Sequence, residues 1–165
     1  MPDQVAAEWG LFNANFSWLA DRLAAAVFYL QRRKDPNLCF EAIIKRPFGK
    51  NLAEFESKLR GFEDLDHPYV QGGLAACKEM RALAAWRNER IHARVEFDQQ
   101  NRAIKLFSWK TRQLLPMTPE EIAGRTTNAF NLVFEVNRAL SFLLNRLDFQ
   151  AELDRLFGEI DLSNV

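Results

Sequence analysis

Residues 70–116 read VQGGLAACKEMRALAAWRNERIHARVEFDQQNRAIKLFSWKTRQLLP, and a change of period inside this stretch decides the fold. From about Val70 or Gly72 to Ala93, the residues Leu74, Cys77, Met80 or Arg81, Ala84, and Arg87 or Asn88 recur at helical steps. The alanine run around Leu83-Ala84-Ala85 favours helix and permits a neighbouring helix to approach closely. After Ala93 the period drops to two. Val95 and Phe97 alternate with polar residues, DQQN at 98–101 offers a turn, and Ile104 and Leu106 alternate with Lys105 and Phe107. That pattern predicts a β-hairpin within about 94–116, with a short third strand over Gln113 to Pro116.

Working outward, the flanks are helical. From about Val5 to Arg33 the apolar residues Trp9, Phe12, Phe16, Leu19, Leu23, Ala26, Val27 and Leu30 fall on one helical face. Asp3 is a candidate cap, and Arg32, Arg33 and Lys34 suit the negative end of the helix dipole. Asp35-Pro36 breaks this element. A shorter helix is expected over Pro36 to Lys45, a turn at Arg46-Pro47-Phe48-Gly49, and a third helix from about Asn51 to Phe62 carrying Leu52, Phe55 and Leu59. On the other side, Thr118-Pro119-Glu120-Glu121 is a strong helix start. Its helix carries Ile122, Phe130, Val133 or Phe134, Val136 or Asn137, Leu140, Leu143, Leu144 and Leu147. The amphipathic tail from Phe149 to Phe157 is expected to fold back as a last helix. The fold class is all-α, an antiparallel helical bundle with one inserted hairpin, in a single domain over 1–165.

The composition agrees with a folded protein. Of 165 residues, 48% are hydrophobic, 12% aromatic and 27% charged, with only 7 Gly and 6 Pro to interrupt helices. Lys+Arg and Asp+Glu are both 22, which excludes a strongly basic nucleic-acid coat and a strongly acidic tail protein. The longest apolar run, Leu23 to Leu30, is far short of a membrane span. The N-terminus carries no signal-peptide pattern, and Cys39 and Cys77 lack metal-ligand spacing and suit a reducing compartment. A cytoplasmic protein without membrane partner, metal or cofactor is the expectation.

One constellation stands out. The end of the motif helix reads Trp86-Arg87-Asn88-Glu89-Arg90-Ile91-His92. Asn88 and His92 are four apart and share a helix face, and Arg87 has a long stem that can reach toward the imidazole. A guanidinium fork matches phosphate oxygens, and an imidazole exchanges protons near neutral pH. By spacing alone, solvated helix residues are the commoner reading of such a set. His67, the other histidine, reads as a capping or surface residue.

The string R-N-E-R-I-H at 87–92 resembles the Arg, polar residue, three further residues, His motif of the HEPN superfamily. The resemblance covers the motif helix and, more loosely, the all-helical order; the hairpin lies outside the minimal bundle of that family. It implies an antiparallel helical bundle that dimerises with two motifs facing across a two-fold. It further implies a metal-independent endoribonuclease, of a toxin–antitoxin or phage-defence kind, or else a non-catalytic dimeric module that binds RNA, a nucleotide or a protein partner such as an antitoxin. Carried to this chain, Arg87 would stabilise the phosphate, Asn88 would position Arg87 or substrate, and His92 would act as general acid or base.

Charge is segregated within the neutral total. From Lys78 to Arg112 nine cations stand against four acids, whereas from Asp148 to Asp161 five acids stand against one arginine. Arg90, Arg94, Arg102, Lys105, Lys110 and Arg112 are the candidate RNA-binding residues, with a solvated face as the competing reading. Phe107 and Trp109 are candidates for base stacking or for core and interface packing. Asp21, Glu54 and Glu56 are candidate carboxylates to orient Arg87.

Overall fold

A computed structural model describes residues 2–98, 103–108, 110–115 and 117–158. The chain runs α1 (Pro2–Arg32), α2 (Phe40–Ile44), α3 (Phe48–Arg60), α4 (Pro68–Ile91), β1 (Arg94–Asp98), β2 (Ala103–Phe107), β3 (Leu114–Leu115) and α5 (Pro119–Gly158). It is mostly helical, with one small antiparallel sheet in the order β1-β2-β3. No described helix is long and apolar enough to cross a membrane.

The core forms where α1, α3, α4 and α5 meet. From α1 it takes Phe12, Phe16, Leu19, Leu23, Ala26, Val27 and Leu30, the stripe read from the sequence, with Trp9 half-buried at its edge. From α3 come Leu52, Phe55 and Leu59, and from α5 Ile122, Ala129, Val133, Val136, Ala139 and Leu143. The α4 stripe is rotated from the one expected. Its buried residues are Val70, Gly73, Ala76, Cys77, Met80, Leu83, Trp86 and Arg90, while Leu74 and Ala84 are only half-buried. A close helix approach is found at Gly73. A Cβ at Gly73 would meet Ala139 Cβ at 3.0 Å and Leu59 Cδ1 at 3.0 Å, so a larger residue where α3, α4 and α5 converge would need these side chains to give by a few tenths of an ångström. Phe130 and Leu147, expected to lie inside, are exposed.

Local chemistry sets the ends. Thr118 Oγ1 accepts the backbone N–H of Glu121 at 3.2 Å, with Pro119 in the first turn, as the start signal implied. His67 caps α4: its Nδ1 accepts the Tyr69 N–H at 3.3 Å, and its ring stacks 4.0 Å from Phe142. The first helix begins at Pro2, which puts Asp3 inside its first turn and not at the cap. The helix expected from Pro36 shrinks to Phe40–Ile44. Asp35 spends its polar groups on a turn instead: its carboxylate accepts from Asn37 N and its carbonyl from Leu38 N, both at 3.1 Å. The segment from Phe149 to Phe157 does not fold back. No Gly or Pro lies between Thr126 and Phe157, and α5 runs on unbroken to Gly158.

The sheet shows the expected hairpin and short third strand. β1 pairs β2 with Arg94 opposite Phe107, Val95 opposite Leu106 and Glu96 opposite Lys105, and β2 pairs β3 with Phe107 opposite Leu114. Trp109, Arg102 and Pro116 lie outside the described residues.

Both cysteines are free thiols. Burial pushes the Cys77 thiol up to about 12, against a small opposite pull from Arg60, while Cys39 is exposed. The thiolate is the nucleophile, so Cys77 is held unreactive across the neutral range. Iodoacetamide at pH 8 is expected to label Cys39 in the native protein and Cys77 only in denaturant, read by mass spectrometry of tryptic peptides.

Candidate functional site

The C-terminal end of α4 is clamped from inside. The Trp86 indole N–H donates to Glu121 Oε1 at 2.9 Å, and Arg90 Nη2 donates to the same oxygen at 3.1 Å. The Arg90 guanidinium lies 4.0 Å from the centroid of the Trp86 ring, while Phe12 meets that ring edge-on at 5.1 Å. Burial lowers the Arg90 pKa, and the Glu121 carboxylate opposes that shift. Arg90 was expected among the RNA-binding cations. It is instead 7% exposed and faces the first turn of α5, so it is a structural cation of the core edge.

Arg87 turns toward α1. Its Nε donates to Asn13 Oδ1 at 3.3 Å, and its guanidinium sits 4.9 Å from the Phe16 ring centroid. Asn13 Nδ2 donates to the Trp9 carbonyl at 2.8 Å, which fixes the amide with its oxygen toward Arg87. Partial burial lowers the Arg87 pKa. The carboxylates proposed to orient it are engaged elsewhere: Glu54 bonds Gln31 and Arg46, Glu56 pairs with Arg60 and Arg81, and Asp21 is exposed. Sequence reasoning missed Asn13. It follows the core residue Phe12 on α1, and the contacts of Trp9 and Phe12 with the Trp86 ring bring this part of α1 beside Arg87.

Asn88 and His92 open on the other side of the helix. Arg87 and His92 are five positions apart, about 500° of helical rotation, so the two side chains leave α4 about 140° apart. Both Asn88 and His92 are exposed, and with Ala85, Glu89 and Lys110 they line a groove of about 420 Å³. The His92 N–H donates to the Asn88 carbonyl at 3.1 Å and ends the helix. Lys110 arrives from the loop between β2 and β3. Thus Asn88, His92 and Lys110 converge within one chain, and Arg87 does not join them.

The remaining candidate cations lie on the sheet. Arg94 pairs with Glu96 through Nε at 3.1 Å, Lys105 is half-buried on β2, and Arg112 is exposed in the β2–β3 loop. Arg94, Glu96, Phe107, Ser108 and Arg112 line a second groove, of about 590 Å³. Among the described residues, no three His, Cys, Asp or Glu side chains come together as metal ligands. Comparison with family models, with curated proteins and with solved structures yields no match to this chain.

Proposed function

We propose that the protein is a metal-independent endoribonuclease of the HEPN type, acting as a homodimer, with a toxin or phage-defence role. The observation that carries this reading is the exposed His92 imidazole beside Asn88 and Lys110 in an open groove, at the end of a helix that also bears Arg87. His92 takes the proton of a 2′-hydroxyl, and that oxygen attacks the adjacent phosphorus. The P–O bond to the 5′-oxygen breaks, and the His92 of a second copy returns a proton to that leaving oxygen. Arg87 stabilises the charge that builds on the non-bridging oxygens. The products are a 2′,3′-cyclic phosphate and a 5′-hydroxyl.

Because Arg87 and His92 leave α4 on different sides, the reading requires two chains to complete one site. Mixing wild type with an excess of His92→Ala protein under subunit exchange is expected to lower cleavage well below the wild-type share, because a mixed dimer holds one His92 and lacks the second proton-transfer group. Cleavage that falls only in proportion to the wild-type fraction, with proven exchange, would contradict a shared site.

A second reading is a non-catalytic dimeric module that binds RNA, a nucleotide or a protein partner such as an antitoxin. The attachment of Arg87 to Asn13 and Phe16, away from the His92 groove, favours it. Wild-type protein that binds RNA but leaves it intact would select this reading.

A further inference from the structure

The alternation of a pleated strand sorts the sheet residues onto two faces. Arg94 stands opposite Phe107, Glu96 opposite Lys105, and Phe107 opposite Leu114, so these five residues share one face. That face carries an aromatic ring, two cations, a carboxylate and an exposed leucine. It begins two residues after His92. The β2–β3 loop joins it to the motif groove, because Lys110 lines the groove with His92 and Arg112 lines the groove with Arg94 and Phe107.

Arg112 is the informative residue. It has φ 56°, and among the described residues it is the only non-glycine with positive φ. The loop around it is closed by its own hydrogen bonds. Arg112 N donates to the Ser108 carbonyl at 2.7 Å, Ser108 N to the Gln113 carbonyl at 2.9 Å, and Thr111 N to Ser108 Oγ at 3.3 Å. Such a loop-closing left-handed position suits glycine or asparagine, and an arginine there is strained. The loop geometry needs no guanidinium, yet one is present, directed into a groove with a second arginine and a phenylalanine. Strain of this kind at a cleft points to a side chain that serves a ligand.

We propose that this sheet face is a binding subsite for one nucleotide of single-stranded RNA next to the scissile phosphate. This rests on the reading of the His92 groove as an RNA site. The base stacks on Phe107, and the phosphate lies between Arg112 and Arg94. Glu96 accepts from Arg94 Nε, which aims the two Nη groups of Arg94 outward as the phosphate fork.

The test is fluorescence anisotropy with a labelled 12-nucleotide single-stranded RNA in chelator, together with thermal melting of the same proteins. Arg112→Gly and Arg112→Asn relieve the backbone and remove the guanidinium. Both are expected to raise the melting temperature while weakening RNA binding about tenfold, with a smaller salt dependence. Phe107→Leu is expected to weaken binding by roughly tenfold, the loss of one stacked base. A purely structural loop residue would instead leave affinity unchanged as stability rises, and that result overturns the subsite. His92→Ala separates the two ideas through cleavage, which it is expected to abolish, while the Arg112 and Phe107 variants are read by binding. Loss of cleavage in His92→Ala with unaltered binding in the Arg112 and Phe107 variants would reject the subsite and keep the nuclease. Weakened binding in those variants without any wild-type cleavage would keep the subsite and reject the nuclease.

Discussion

His92→Ala is expected to lower RNA cleavage by about 10²–10⁴-fold, the usual worth of a general acid or base. The melting temperature should stay near that of wild type. The imidazole is exposed at the helix end, and no described residue hydrogen-bonds it, so its removal leaves no buried void or orphaned partner. The helix stop survives as well, because it depends on the His92 backbone N–H and not on the ring. Loss of activity with full stability therefore separates chemistry from folding. In the proposed dimer the substitution removes both the proton acceptor and the donor of each site, which places the effect toward the upper end of the range. Gel-based cleavage rates and a melting curve on the same preparation check both parts.

Glu121→Ala is expected to cost about 2–3 kcal/mol of folding stability. One carboxylate oxygen accepts from both the Trp86 indole and the buried Arg90 guanidinium, so truncation strips a counter-charge and two hydrogen bonds at once. The Glu121 side chain is 27% exposed, and water can partly replace it, which keeps the cost at the low end for a buried pair. The clamp also holds the helix turn that carries Asn88 and His92, so cleavage should fall with stability. Joint replacement of Arg90 by Met and Glu121 by Leu is expected to recover part of the loss, since apolar side chains of similar size replace buried ion pairs well, while the Trp86 indole N–H stays without its acceptor. Urea denaturation of the two single variants and the pair measures the coupling. A single-variant cost below about 0.5 kcal/mol would show that the clamp is not what fixes this end of α4.

The sequence made the helices of the core legible because long periodic stretches report burial directly. The Phe12 to Leu30 stripe of α1 and the Leu52, Phe55, Leu59 triplet of α3 are buried as their spacing implies. The hairpin was legible for the same reason, through the switch to period two after Ala93. The α4 stripe was harder. Arg90 looks like a surface cation in sequence, and its burial is supported by the carboxylate of Glu121, 31 residues away. Trp86 and Gly73 were passed over because the alanine run offered a competing face. Helix ends followed side-chain hydrogen bonds that short sequence windows rank poorly, as at Asp35, where a turn displaced the expected helix start. For the site, proximity along α4 grouped Arg87, Asn88 and His92, but helical rotation divides them between the α1 side and the groove. The role of Asn13 depends on a contact between residues 74 positions apart, which no local pattern carries.

The most direct measurement is end-group analysis of mixed RNA incubated in chelator with purified wild type and with His92→Ala. The expected result is fragments with 2′,3′-cyclic phosphate and 5′-hydroxyl ends from wild type, with DNA of the same sequence untouched and His92→Ala inactive. Intact RNA with wild type, or equal cleavage by His92→Ala, would contradict the account.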